Sequence, residues 1–464
     1  MLRLVAAQAE TLWDEALPIE VRQLPEDLAA LDGLLCDPGL LEPFVAHWQH
    51  EALLTGVSAA GHGRPTVAIE TYVRLMVLKH RYGWGYRGLV AEVSDSIHLR
   101  RFCRIALSER VPDESTVRKL TRRIGAETVN ELTRTLIAAA VRERRFRARA
   151  IRIDSTVIEA DIKYPTDAGL AAQGVRSLAR EGRKLASKLG ETKVRVRDRS
   201  RSMGRKLRAI SRTIRRRSGE AKAEVLALTE QTGELLQRSV TEARRLAAAA
   251  RFKARGRGAQ AKLRAARKLD ELADRCEKVA KQINQRVRGE KITDRLISLS
   301  DPDARPIRKG KLGKPTEFGY VAQIAEVTPN TRRGARGLIL PAASLPGNPG
   351  ENTLLPQTIA ELDRLGLSPR EVVLDGGFAL GPTTETLEDL QPERVFISGR
   401  QQPGSRRTQR RLQRYRTGAE GRISHLKRGY GMRRSRLKGD DGQKTWTGWG
   451  ILTYNLDTLT IRTA

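Results

Sequence analysis

Ile151-Arg-Ile-Asp154-Ser-Thr-Val157 is the stretch at which this chain changes character. Before about residue 150 apolar residues recur at helical spacing. Here Ile151, Ile153 and Val157 alternate onto one side of a short run rich in β-branched residues, which predicts a strand over 150–158. Its apolar face would be buried, leaving the Asp154 carboxylate where Ser155 and Thr156 turn out. Downstream the same reading gives strands over 159–163, 318–327, 336–343, 371–375 and 394–398, with helices near 352–366 and 382–390 among the later ones. That alternation predicts a mixed α/β domain, a sheet with helices. A second aspartate closes one of these strands, in Glu371-Val-Val-Leu-Asp375-Gly-Gly-Phe378, where two glycines allow close approach of backbone or substrate.

The third notable carboxylate lies in Arg416-Thr-Gly-Ala-Glu420-Gly-Arg-Ile-Ser-His-Leu-Lys427. On a helix, Arg416 and Lys427 fall about 40° and about 20° from Glu420, so the three share one face. Such a face can be a solvated salt-bridge pattern or one wall of a site. Upstream, Arg406-Arg407 and Arg410-Arg411 form a basic run suited to a DNA backbone or to solvent. His425 lies about 140° round the helix from Glu420, the position of a phosphate or surface contact rather than of a metal ligand.

The chain carries 86 Lys+Arg against 54 Asp+Glu, a formal charge of +32. A field of that size says nothing of fold, but it points to a polyanionic partner bound through phosphate neutralisation. Ribosomal and nucleoid-packaging proteins share it. Cys36, Cys103 and Cys276 form no CxxC pair and are expected to be reduced, mostly buried thiols. The N-terminus meets acidic residues too early for a signal peptide, and no apolar run is long enough for a membrane span. A soluble cytoplasmic protein is expected.

Over 464 residues more than one domain is expected. Residues 1–145 read as helical. Arg64 to His80 starts a helix near Pro65 and Thr66, a second runs through Leu89, Val90 and Val93, and Val111-Pro-Asp-Glu-Ser-Thr-Val-Arg-Lys-Leu-Thr-Arg-Arg123 gives a capped basic helix. Arg118, Lys119 and Arg122 would contact DNA if this were a helix-turn-helix. A plain bundle with a basic exterior fits equally. Residues 146–167 and 296–464 make the α/β domain. Residues 168–295, proline-free and Ala/Arg/Leu-rich, read as an insertion of two or more long helices, a hairpin or coiled coil. Its part 171–220 holds 17 Lys+Arg against 4 Asp+Glu, a net of +13, suited to DNA contact, to dimerisation, or to both.

Taken together, Asp154, Asp375 and Glu420 resemble the Asp-Asp-Glu triad of bacterial insertion-sequence transposases with a ribonuclease-H-like catalytic domain. Arg416-x3-Glu420-x6-Lys427 is similar to the Arg-Glu-Lys part of their Tyr-Arg-Glu-Lys signature. Further echoes are Val111-Pro-Asp-Glu-Ser-Thr116, Asp154-Ser-Thr156, Phe318-Gly-Tyr320 and Tyr454-Asn-Leu456, so the resemblance spans roughly residues 30 to 460. The chain departs from the pattern in three places. Gln413 stands where the signature tyrosine is expected, with Tyr415 beside the arginine instead. Asp375 is followed by two glycines, and the insertion lies between the two aspartates.

The resemblance implies a ribonuclease-H-like catalytic domain behind an all-α N-terminal DNA-binding domain. It implies cleavage of double-stranded DNA at the element's terminal inverted repeats and joining of the 3′-hydroxyl to target DNA. Asp154, Asp375 and Glu420 would be catalytic and hold two Mg²⁺ ions, with Mn²⁺ able to substitute. Arg416, Lys427, Arg422, Arg406 and Arg407 would contact DNA. A homo-oligomer at the bacterial nucleoid, with no small-molecule cofactor and no membrane, completes the expectation. Rival readings are a DNA-binding regulator or nucleoid-type protein descended from such an enzyme, and a metal-dependent nuclease that cuts without joining.

Overall fold

The computed structural model describes residues 2–6, 16–55, 66–190, 194–216, 218–256, 258–308, 315–400 and 404–463. The chain forms two compact units, Met1–Asp161 with Gly319–Ala464, and Ile162–Phe318. The strands in chain order are β1 (Ala150–Ala160), β2 (Arg305–Arg308), β3 (Thr316–Thr328), β4 (Leu338–Ile339), β5 (Glu371–Leu374), β6 (Arg394–Ile397) and β7 (Arg434–Ser435).

In the first unit the sheet runs β3-β1-β5-β6. β1 is antiparallel to β3 and parallel to β5, and β5 is parallel to β6. This is the mixed sheet expected. Two details differ. β1 runs unbroken to Ala160, so no separate strand follows at 159–163, and the strand expected over 336–343 shrinks to β4, beyond which Ala343 makes a single bridge to Gln323. Pro341, which has no amide hydrogen to offer a ladder, lies between the two.

β1 is buried on both faces, and on the face opposite Ile151 and Ile153 it buries Arg152. Arg152 stands directly across from Glu326 of β3, also buried, and donates to its Oε2 through Nε at 2.8 Å and Nη2 at 2.6 Å. Its other bonds go to the carbonyls of Tyr415 and Ala335, both at 2.9 Å. Glu326 Oε1 is filled by Arg422 Nε at 3.0 Å and the Gly337 amide at 2.8 Å. The bonds beyond the ion pair itself tie the helix Arg406–Gly429, or the segment that leads to β4, to the centre of the sheet. Gly418 makes the approach possible: a β-carbon there would lie 2.0 Å from Arg152 Nη1.

One core joins this sheet to the N-terminal helices. Leu31, Phe44, Tyr72, Leu75 and Leu132 pack in the same cluster as Ile153, Val372, Ile397 and Trp449. Where the sequence suggests a boundary near residue 145, the structure has continuous packing. The helix expected from Arg64 is Ile69–Arg81; Arg64 and Pro65, its expected start, lie outside the described residues. The basic helix, capped by Asp113 onto the Ser115 amide, continues to Arg142 through a kink at Gly125, where φ is 73°. The last helix, Asp440–Thr463, is clamped to β4 by Asn455, whose side chain exchanges hydrogen bonds of 2.8 Å with both backbone groups of Ile339.

The second unit holds the helices Asp167–Leu189, Ser200–Thr213, Gly219–Phe252 and Ala259–Val287 around its own core of Val175, Leu178, Leu236, Leu246, Leu269 and Ile283. Long helices were expected here, and their packing into a bundle makes the segment a body with its own interior. Cys276 is buried within it, Cys103 is buried in the first unit, and Cys36 is exposed; all three are free. Among the described residues no helix is long and apolar enough to cross a membrane.

Gly418→Ala is expected to force Arg152 and the helix apart, an overpacking cost of about 1–3 kcal/mol. Thermal unfolding checks this: the melting temperature drops by several degrees, whereas Gly421→Ala in the same helix, whose β-carbon meets nothing within 4 Å, raises it.

Candidate active site

The strand register brings the two aspartates together. β5 pairs with β1 through Ile153↔Leu374 and then stops, so Asp154 and Asp375 are the next residues on adjacent parallel strands. Asp154 therefore lies not at the end of its strand but in the middle, at the point where its parallel neighbour ends. The carboxyl ends of parallel strands are where α/β sheets open onto ligands.

The carboxylate that joins the two aspartates is Glu351, which the sequence reading missed, and not the expected Glu420. One oxygen each of Asp154, Asp375 and Glu351 lie within 4.8 Å of one another. Glu351 opens the helix Glu351–Arg364, and two amides fix its place. Gln323 of β3, opposite Ser155, donates to the Glu351 carbonyl at 3.0 Å, and Asn352 accepts from the Ala379 amide at 2.8 Å, fastening the helix start to the loop beyond Asp375. Gly377 leaves room for the Glu351 carboxylate, which a β-carbon would meet at 3.0 Å. The available signal was a glutamate at a helix start, after Pro346-Gly-Asn-Pro-Gly350, between the two aspartates in chain order.

Arg416 sits among the acids. Its guanidinium lies 2.5 Å from Asp375 and 3.8 Å from Asp154, and 2.7 Å from Glu420 one turn along the same helix. Glu420 reaches the cluster through this arginine, its own side chain being 62% exposed. The Arg416–Glu420 face is thus both a salt bridge and a wall of the acidic site. Tyr415 turns the other way, into the core, its hydroxyl 2.6 Å from Thr328 Oγ1. Gln413, at the expected tyrosine position, accepts from Ser398 Oγ.

The residues expected on DNA take different places. Arg422 is directed inward onto Glu326. Lys427 is half-buried two turns beyond Glu420, and Arg406 and Arg407 are exposed at the helix start. Lys119 and Arg122 are exposed on the helix after Asp113, and Arg118 pairs with Glu114 while lying over the Tyr86 ring. His425, read as a surface or phosphate contact, instead packs edge-on against Tyr430 and Tyr454.

Burial, then the neighbouring Asp375, push the Asp154 carboxyl up to about 6, with Glu420 adding; Arg416 and the Ser155 amide pull the other way. Three hard oxygen donors within 4.8 Å, with a cation already drawn among them, make a donor set that fits a divalent ion such as Mg²⁺ or Mn²⁺.

Among models of protein families, one described as a transposase domain (DUF772) matches residues 40–123, and one described as a transposase DDE domain matches residues 333–456. The second match contains Glu351, Asp375, Arg416 and Glu420. No curated protein and no solved structure matches the chain. The acidic side chains gather where β5 ends beside β1, and the matched DDE domain implies a divalent metal and a DNA substrate. The two matches support an insertion-sequence DDE transposase.

The raised Asp154 carboxyl has a thermodynamic consequence. The folded chain holds this proton more tightly than the unfolded chain, so the group's stabilising contribution is present below about pH 4 and is lost as pH rises through about 6. Asp154→Asn cannot ionise, so its melting temperature is expected to fall less than the wild type's between pH 4 and pH 7. Parallel curves would show that the carboxyl is not held up by its surroundings.

Proposed function

We propose that this transposase cuts DNA at the ends of an insertion sequence and joins the freed 3′-hydroxyl to target DNA, in a ribonuclease-H-like domain whose ligand set is Asp154, Asp375, Glu420 and Glu351. The observation that carries the reading is the convergence of Asp154, Glu351 and Asp375, from three separate elements, on a volume one ion could fill. Two divalent ions, Mg²⁺ in the cell with Mn²⁺ able to substitute, would supply the Lewis acidity that activates the attacking oxygen and stabilises the leaving one.

Asp154 and Asp375 are rigid contributors, held by sheet register. Glu351 is held by the two amides at its helix start. Glu420 is the adjustable member, being exposed and one turn from Arg416 on a helix that Arg152 fixes to the sheet. Arg416 has a second role. Its forked guanidinium occupies the acids when they hold no ion, and it is placed to turn to a phosphate once they do. Lys427, Arg406 and Arg407 extend the same helix as a track for DNA, with Arg406 about 20 Å along the axis from Glu420. Arg118, Lys119 and Arg122 extend the DNA surface onto the N-terminal helices, and Arg422 serves it indirectly by positioning the helix. The +32 charge matches this partner, and assembly of two or more copies would bridge the two terminal repeats.

The test is incubation with the DNA ends that flank the gene, a target plasmid and Mg²⁺. Cleaved and joined products are expected, and Asp154→Ala, Asp375→Ala and Glu420→Ala should each reduce both to background. Cleavage without joining would favour a nuclease, and binding without either product a regulator. Intact cleavage in the three variants would remove the site assignment.

Arg416→Ala separates the two roles of that residue. Removing the competing cation should tighten Mn²⁺ binding severalfold in calorimetry, while strand cleavage falls by about 10²-fold or more through the lost phosphate contact. Unchanged metal affinity would show that the arginine does not contend with the ion.

A further inference from the structure

The first unit holds a second charged cavity that the acidic site does not use. It has a volume of about 450 Å³ and is lined by Lys79 and His80 at the end of one helix, Trp84 in the following turn, and Arg433, Arg436 and Trp446. Lys79 is only 2% exposed. Its ammonium lies 4.0 Å from the Trp446 ring centre and 4.8 Å from that of Tyr86, and among the described residues no carboxylate pairs with it. Glu159 of β1 and Asp161 just beyond that strand are engaged by Arg434. Arg433 and Arg436 stand exposed at the mouth.

A buried ammonium without an anion is costly, and two aromatic faces return only part of the lost hydration. Burial, with Arg436 adding, lowers the Lys79 ammonium to about 7, and it keeps His80, edge-on to Trp446, neutral. A bound anion would reverse the first effect. The indoles of Trp84 and Trp446 supply flat apolar walls beside the cations, the combination that takes a phosphate together with its sugar or base.

The position of the cavity identifies the anion. Arg434 pairs with Glu159 of β1, five residues beyond Asp154 on the same strand, about 17 Å away at the rise of a strand. Successive phosphates on one DNA strand are spaced by about 3.4 Å along the axis, so a duplex leaving the carboxylates along β1 brings a phosphate about five steps away to this mouth. We propose that Lys79, Arg433 and Arg436 bind a backbone phosphate of the DNA about five nucleotides from the bond cut at Asp154, with Trp84 and Trp446 walling its nucleotide. The inference rests on the reading of the acidic site as the place of strand cleavage.

The test uses full-length Asp154→Asn protein in EDTA, so that binding is read without cleavage, with a duplex of about 30 bp from the gene's flank, titrated at several salt concentrations. Expected results are quenching of tryptophan fluorescence on binding, a loss of about 10-fold in affinity in Arg433→Ala/Arg436→Ala, and a salt slope smaller by about two. Lys79→Met, which keeps the packing and removes the charge, should lower affinity by a similar factor and leave the melting temperature at or above that of the parent. Single methylphosphonate linkages moved along the duplex should weaken binding to the parent but not to Lys79→Met when placed about four to six nucleotides from the cleavage point. If both variants bind as the parent does, or if no linkage in that window discriminates, the cavity is not a phosphate site. Failure of every protein, the parent included, to bind DNA would instead overturn the cleavage reading itself.

Discussion

The structure depends on one buried ion pair. Arg152 and Glu326, opposite each other on β1 and β3, are both nearly inaccessible, and each makes further bonds with the helix Arg406–Gly429 and with the segment leading to β4. Such a pair adds little net stability, because desolvation offsets most of the attraction, but losing one partner strands the other and costs about 3–5 kcal/mol. Its value lies in geometry. Arg152 is two residues before Asp154 on the same face of β1, and it holds the carbonyl of Tyr415, the residue before Arg416. The distance between the sheet carboxylates and the helical Arg416–Glu420 pair is therefore set by one guanidinium, with Gly418 giving it room.

Much of this was legible in the sequence, for identifiable reasons. β1, β3, β5 and β6 show as short runs of β-branched and apolar residues, and local alternation is a property that sequence carries directly. Asp154 and Asp375 stood out because they interrupt such runs. Arg416 and Glu420 stood out because helical geometry fixes side chains four apart. Glu351 could not be found this way, since its place comes from Gln323 and Asn352, contacts made across the fold. The inward turn of Arg422 was hidden for the same reason: nothing local distinguishes it from the exposed arginines around it. The shared core of the N-terminal helices and the sheet was also illegible, because Tyr72 meeting Trp449 edge-on is a contact between residues far apart in sequence.

The acidic site has a built-in counter-ion. Holding a second carboxylate, Asp375, beside the buried Asp154 would be unfavourable without a cation, and Arg416 provides one from the neighbouring helix. The sequence pattern that looked like a solvated salt bridge is thus also one wall of the acidic cluster. Arg416 and Glu420 lie one turn apart, so the arginine reaches the sheet acids and the glutamate at once.

The measurement that tests this account most directly is a crystal structure grown with Mn²⁺ and read by anomalous scattering. The account predicts density among the carboxylates of Asp154, Asp375 and Glu351, with the Arg416 guanidinium displaced from Asp375. Anomalous density only at other acidic side chains, with Arg416 still seated against Asp375 at saturating metal, would contradict it.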